Sequence, residues 1–228
     1  MQLKEIEKLA ASVMEKAVDA KEVAGVNLLV LKDKAPVLSL QAGYADLENK
    51  VLMADDTIMR LYSMSKPITA ACMMILMQRG LVDLNDPVSK FIPAFANQTY
   101  VNGNALSLVQ RPMTVHDLLF MTSGLSYGSD SAAGKATSDL FAEMDARLST
   151  KDAMTTREFA DRVGKNPLEF EPSSNFMYGI SADILGALIE VISGMSFAEF
   201  LKKEITDPLE MPDTGFFVPA QKQSRLSK

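Results

Sequence analysis

The 228-residue sequence holds one cysteine, one histidine and no tryptophan. The single cysteine, Cys72, excludes an intrachain disulfide. With His116 the only histidine, a metal site of the His/Cys type has too few ligands. Basic residues are also scarce: 23 Lys and Arg stand against 29 Asp and Glu, for a net charge of −6. A nucleic-acid surface needs a basic stripe to meet phosphates, and none is visible, so no nucleic-acid partner is expected. The longest apolar run, Ile68 to Met77, is well short of the ~20 residues that span a bilayer. It reads as a buried helix, and no membrane partner is expected. The opening residues, Met1-Gln2-Leu3-Lys4-Glu5-Ile6, lack the apolar core of a signal peptide, which leads to the expectation of a cytoplasmic location.

What is present is ordinary for a globular chain. Apolar residues make up 47%, enough for a core, and the length suits one large domain or two interleaved ones. Over residues 2–20, Leu3, Ile6, Leu9, Val13 and Ala17 recur at the spacing of one helical face, with Glu and Lys on the other. Val26–Leu31 and Val37–Ala42, joined by the polar Lys32-Asp33-Lys34-Ala35-Pro36, suit a β-hairpin. A third short run, Thr57–Tyr62, reads as a strand leading into Ser63.

Beyond Ser63 the pattern turns helical. Thr114-Val115-His116-Asp117 starts a helix that Gly124 ends, and Thr155–Glu158 and Ser196–Glu199 read as capping boxes. Ser181–Ser193 is strongly apolar and stops at Gly194. Residues 128–153, rich in Ser, Ala, Gly, Asp and Lys, show no firm period and read as a mobile loop or short surface helix. The fold class expected is therefore α+β, with an N-terminal helix and strands over 1–66 and a mainly helical region over 67–228. Two or three strands make a poor sheet alone. The chain is thus expected to stop, at Gln223-Ser224-Arg225-Leu226-Ser227-Lys228, before its sheet is complete.

Ser63-Met64-Ser65-Lys66 is the only S-x-x-K in the chain. With a helix starting at Ser63, the hydroxyl and the lysine share one face at a helix N-terminus, where the dipole favours developing negative charge. The same dipole, with burial, is expected to push the lysine pKa down toward use as a base. Pro67 is tolerated in the first turn. Four common residues also meet by chance, and on these four alone that reading is the better one. The context shifts the balance: a strand enters at Ser63 and an apolar helix leaves from it.

Leu61-Tyr62-Ser63-Met64-Ser65-Lys66 and Gly80-Leu81-Val82-Asp83-Leu84-Asn85-Asp86-Pro87-Val88 resemble the class C β-lactamases, and equally the DD-peptidases and family VIII carboxylesterases. The resemblance continues at Met113–Leu119, Thr122–Leu125, Tyr178–Gly194 and Pro208–Phe216, in the family's order. It implies a β-lactamase/transpeptidase-like fold, with a helical region beside an antiparallel sheet that this chain only partly supplies. It also implies an acyl-enzyme on Ser63, with Lys66 and Tyr178 moving the proton and no metal or organic cofactor. A phenol serves as base only where a neighbouring ammonium lowers its pKa, and Lys66 is that neighbour.

The chain departs from the family at two points. Ile180 stands where the β-lactamases usually carry asparagine, which turns the expectation from β-lactams toward esters. The family's later Lys-Thr-Gly-type strand, source of one oxyanion N–H, has no match. The chain is therefore expected to be a truncated or nicked product, with a companion fragment or self-association through the sheet edge. The substrate expected is a small ester or amide. β-Lactamase or DD-peptidase activity, or a non-catalytic penicillin-binding-like relative, stand as alternatives.

Other candidates weigh less. Gly124-Leu125-Ser126-Tyr127-Gly128 is a literal G-x-S-x-G, but the nucleophile elbow needs a strand before it, a helix after it and a later histidine. It reads as a turn after a helix. His116 and Asp117 are expected to point away from the core. Tyr100-Val101-Asn102 reads as a loop, and Ser173-Ser174-Asn175 is a minor candidate for a Ser-x-Asn element.

Overall fold

Strand β1 (Gly25–Lys32) turns into β2 (Ala35–Asp46) through Asp33 and Lys34, both at positive φ, the pairing that a two-residue hairpin turn with right-handed twist requires. The strands pair antiparallel from Gly25–Gly43 to Lys32–Ala35. The structure, a computed structural model, describes residues 3–228. A two-residue β3 (Val51–Leu52) completes a sheet of order β1-β2-β3.

Helix α1 (Leu3–Asp19) forms as expected, but with another face turned inward. Met14 is buried and Ile6, Ala10, Ala17 and Val18 are half-buried, whereas Leu3, Leu9 and Val13 stay exposed. The expected strand over Thr57–Tyr62 does not form. Ile58 makes a single parallel bridge with Leu226, and Tyr62, at φ +46°, cannot continue an extended chain. The C-terminal residues serve as the partner: Arg60 donates to the Ser227 carbonyl at 2.8 Å and Arg225 to that of Asp56 at 2.8 Å. Lys228 pairs with Asp46 at 3.0 Å. The Asp46 carboxyl, bonded by the side chain and N–H of Asn49 and by Lys228, is lowered to about 2.

These contacts join Gly215–Lys228 to the residues up to Tyr62 as one unit, and Ser63–Thr214 forms the other. The division thus falls at Tyr62, four residues before the expected boundary at 66.

The second unit is built on two apolar helices, α2 (Ser65–Gln78) and α6 (Ser181–Ser193). In α6 every residue from Ile184 to Ile189 is buried, as a helix apolar on all sides requires, and Gly194 ends it in the left-handed conformation. α2 buries Thr69, Cys72, Met73 and Leu76 but leaves Ala71 and Met74 exposed, so it is less enclosed than its composition implies. A hairpin of β4 (Thr99–Asn102) and β5 (Ala105–Leu108) takes up Tyr100-Val101-Asn102 as strand, not loop.

Helix α3 (Val115–Leu119) starts with a reciprocal capping box between Thr114 and Asp117. Asp117 does not point outward as expected. It is fully buried, and Arg111 meets both of its oxygens at 2.8 Å. His116 stacks on Phe120, ring centroids 4.3 Å apart.

The segment read as a mobile loop or short surface helix holds a 16-residue helix, α4 (Ala132–Arg147), capped by Ser131. Its buried face is Ala133, Thr137 and Leu140 with the half-buried Phe141. The spacing is helical, but small residues carry most of it and hide the period. Arg147 meets both oxygens of Glu158, at 2.6 and 2.9 Å, tying α4 to α5 (Thr156–Val163). The unit closes with α7 (Phe197–Leu201), headed by the Ser196–Glu199 capping box, which runs into a wider π-type turn over Lys202–Thr206. Among the described residues no single helix is long and apolar enough to cross a membrane.

Candidate active site

A tight 3-10 turn over Tyr62–Met64 delivers Ser63, and α2 begins at Ser65, two residues later than expected. Tyr62, directly before the serine, sits in the left-handed region, a costly conformation for an aromatic residue. Met64, the N-cap of α2, offers no side-chain hydrogen bond, so the N-terminal N–H groups of a 14-residue helix lie beside Ser63 without a side-chain cap. Lys66, one turn on, donates from Nζ to Ser63 Oγ at 3.2 Å.

The structure also brings Tyr178 to this pair. Lys66 Nζ lies 4.6 Å from the centroid of the Tyr178 ring. Hydrogen bonds from Ser63 and from Lys66 hold the Tyr178 phenol below its ordinary value. The lysine shift opposes the expectation. Burial does press the Lys66 pKa down, but hydrogen bonds to Tyr127 and Tyr178 outweigh it, and the net shift is upward. Lys66 is therefore held as an ammonium. Because it donates to Ser63 Oγ, the serine's own proton is left to point at the Tyr178 oxygen. Of the two side chains, the Tyr178 phenol gives up its proton more readily than the Lys66 ammonium.

A second tyrosine, Tyr127, escaped the sequence reading. Its hydroxyl accepts from Lys66 Nζ at 2.9 Å, and its ring stands 6.1 Å from that of Tyr178. Tyr127 lies inside Gly124–Gly128, the literal G-x-S-x-G that reads as a turn. Its serine, Ser126, is buried and donates to Glu169 Oε1 at 2.9 Å. The signal lay in the residue beside it.

The segments carrying the two tyrosines are stitched together by backbone. Met177 N–H donates to the Met121 carbonyl at 2.9 Å, Ser173 to Thr122 at 2.8 Å and Glu169 to Gly124 at 2.9 Å. Buried Ser123 and Ser181 share a hydrogen bond of 2.8 Å. Gly179 follows Tyr178 at the closest approach, where a Cβ would lie 1.9 Å from the Leu125 carbonyl oxygen. Two aromatic side chains are thus aimed at one lysine by a rigid backbone seam. Beyond them Tyr127 stacks on Phe141, at 6.4 Å, and Phe141 on Phe159, at 5.7 Å, extending an aromatic wall from the site.

Ser173-Ser174-Asn175 contributes turn contacts instead. Ser174 donates to the Glu171 carbonyl at 2.7 Å, and Asn175 accepts from the Phe176 N–H at 2.8 Å. Among the described residues no cluster of three or more His, Cys, Asp or Glu side chains is arranged to hold a metal ion.

Comparison with known proteins gives the family and the fold. The family model described as Beta-lactamase matches residues 10–228. Esterase EstB of Burkholderia gladioli is 30% identical over 210 residues, covering 90% of this chain and 50% of that protein. The structure of EstCE1, described as a hydrolase with promiscuous acyltransferase activity, superposes with a TM-score of 0.82 at 27% identity, covering 99% of this chain and 56% of the other. A D-amino acid amidase from Ochrobactrum anthropi SV3 shares the fold, with a TM-score of 0.71 at 24% identity over 98% of this chain and 56% of the other. The chain spans about half the length of the curated relatives it matches. With the serine–lysine turn, the apolar helix behind it and this match over all but its first nine residues, the chain belongs to the β-lactamase family.

Proposed function

We propose that the protein is a serine hydrolase that cleaves small esters or amides through an acyl-enzyme on Ser63, with esters favoured. The observation that carries this reading is the hydrogen-bonded Ser63–Lys66 pair with a depressed phenol at Tyr178. Ser63 attacks the carbonyl carbon as its proton passes to the Tyr178 oxygen. The Lys66 ammonium keeps that phenol ionisable and offsets the charge that builds on the reacting atoms. Water then releases the acid. The preference for esters rests on Ile180, fully buried where the resemblance calls for an asparagine amide, and on the similarity to EstB.

The remaining sheet strands, and with them the second oxyanion donor, are proposed to come from polypeptide beyond this chain or from self-association through the sheet edge. Among the described residues β1 pairs only with β2, and its other edge is open. A cytoplasmic location belongs to the same proposal.

The test is turnover of short-chain esters beside a chromogenic β-lactam, with Ser63→Ala as control. Ester turnover lost in Ser63→Ala is the expected result. β-Lactam turnover above ester turnover would favour the β-lactamase alternative, and acylation without release the non-catalytic one.

A further inference from the structure

Tyr127 has no role in the chemistry described so far, yet it is built into the site. Its hydroxyl accepts a hydrogen bond from Lys66, which leaves the O–H free to donate elsewhere, and among the described residues no protein group accepts it. The side chain is 44% exposed, open to a ligand at the same lysine that Tyr178 faces. The chain on both sides of it is clamped by one carboxylate: Glu169 Oε1 accepts from Ser126 at 2.9 Å and from Ser129 at 2.7 Å. Ser129 in turn bonds Ser131, the cap of α4, at 2.8 Å. A hydroxyl held this firmly, with a free proton and a cation behind it, is arranged to donate.

We propose that Tyr127 is a second catalytic tyrosine, the general acid that protonates the departing alcohol or amine, and that Lys66 links it to Tyr178 as a proton relay. The inference rests on Ser63 being the nucleophile. The protons balance around the relay. As the Ser63 Oγ–carbon bond forms, the serine proton moves to the Tyr178 phenolate and the carbonyl oxygen becomes an oxyanion. As the carbon–oxygen bond to the leaving group breaks, the leaving oxygen takes the Tyr127 proton. Tyr127 is resupplied from the Lys66 ammonium and Lys66 from the Tyr178 hydroxyl. The site returns to phenolate, ammonium and phenol with the acyl group on Ser63. In deacylation, water enters where the alcohol left and the same transfers run backwards, restoring the serine hydroxyl.

The relay predicts a dependence on the leaving group. An alkoxide must be protonated to leave, whereas a nitrophenolate leaves without a proton. The experiment compares kcat/KM, which reports acylation alone, for ethyl butyrate and p-nitrophenyl butyrate in the wild-type chain and in Tyr127→Phe. The expected result is a loss of about 100-fold for the ethyl ester and less than about threefold for the nitrophenyl ester. Glu169→Ala should show the same selectivity to a smaller degree, and Glu169→Gln, which keeps an acceptor for both serines, should restore it. Equal losses on both esters, or no loss on either, would overturn the relay. Mapping of fluorophosphonate adducts separates this from failure of the parent reading. A wild-type chain unlabelled at Ser63, or labelled there but inert to both esters, removes the nucleophile or hydrolase reading, and the relay with it.

Discussion

The helical unit and the sheet unit treat similar residues in opposite ways. In α6, Ile184, Ala187, Leu188 and Ile189 are fully buried, and the cluster around them takes in α2, α3, α5 and α7. In β1, Val26, Leu28, Leu29, Val30 and Leu31 form an equally apolar run, yet Leu29 and Leu31 are 56% and 57% exposed and, among the described residues, the outer edge is unpaired. A run apolar on both faces is the composition of a strand inside a covered sheet, not of an edge. One unit therefore has a closed core, and the other leaves the apolar side chains of a strand exposed. Ser63, Lys66, Tyr127 and Tyr178 all lie in the unit with the closed core. The difference teaches that Ser63, Lys66, Tyr127 and Tyr178 are brought together within Ser63–Thr214, independently of how the sheet edge is covered.

If so, substitutions in the helical unit should act strongly on the chemistry and those in the sheet unit weakly. The largest effect is expected from Ser63→Ala, on the order of a 10⁶-fold loss of ester turnover, read from initial rates. Tyr178→Phe should cost about 10²- to 10⁴-fold in kcat/KM. The pH profile sharpens that expectation. Hydrogen bonds from Ser63 and Lys66 favour the ionised phenol, so the rate should rise with pH through a value below the ~10 of a free tyrosine. It should fall again only above the ordinary lysine value of 10.5, where the raised Lys66 loses its proton. In Lys66→Met the acid limb should move up toward that of free tyrosine.

Gly179→Ala comes next. A Cβ there meets the Leu125 carbonyl and must displace Tyr178, and a shift of ~1 Å is expected to cost about 100-fold in kcat while leaving most of the fold intact by circular dichroism. Asp117→Ala should act on stability. It strands Arg111 and removes the α3 cap, at a cost of about 2–3 kcal/mol in urea unfolding at pH 7, less than for a fully buried pair because Arg111 keeps solvent contact. Burial raises the Asp117 pKa, but Arg111 and Thr114 outweigh it, and the folded value lies below the ordinary one. Its contribution is then fully present above the ordinary carboxylate range and is lost as pH falls through the depressed value. The wild type should lose this difference from the variant in strong acid. The smallest effect is expected in the sheet unit: Leu29→Glu with Leu31→Glu should change stability by less than about 0.5 kcal/mol and leave Ser63 labelling unchanged. The same pair should weaken any concentration-dependent association seen by sedimentation.

The parts of this arrangement legible in the sequence were those where one residue type forces one outcome. The hairpin, the Ser196–Glu199 box and the Gly194 stop are of that kind. Ser63, Lys66 and Tyr178 were legible through motif and family resemblance, and the structure brings them together. Three features were not. The α4 helix buries Ala133 and Thr137 where a period is sought among large apolar residues. The upward shift of Lys66 comes from two phenols distant in sequence, so local reasoning from dipole and burial gave the opposite sign. Tyr127 was hidden in a motif judged by its serine. Its place beside Lys66 depends on a hydrogen bond spanning 61 residues of chain, which no spacing rule reports.

The central claim is that Ser63 is activated by this cluster. It is tested most directly by intact-mass spectrometry with peptide mapping after exposure to a fluorophosphonate ester. The account predicts a single adduct on Ser63, absent in Ser63→Ala and formed more slowly in Tyr178→Phe. An adduct on Ser126, or labelling of Ser63 at the same rate in Tyr178→Phe as in the wild type, would contradict it.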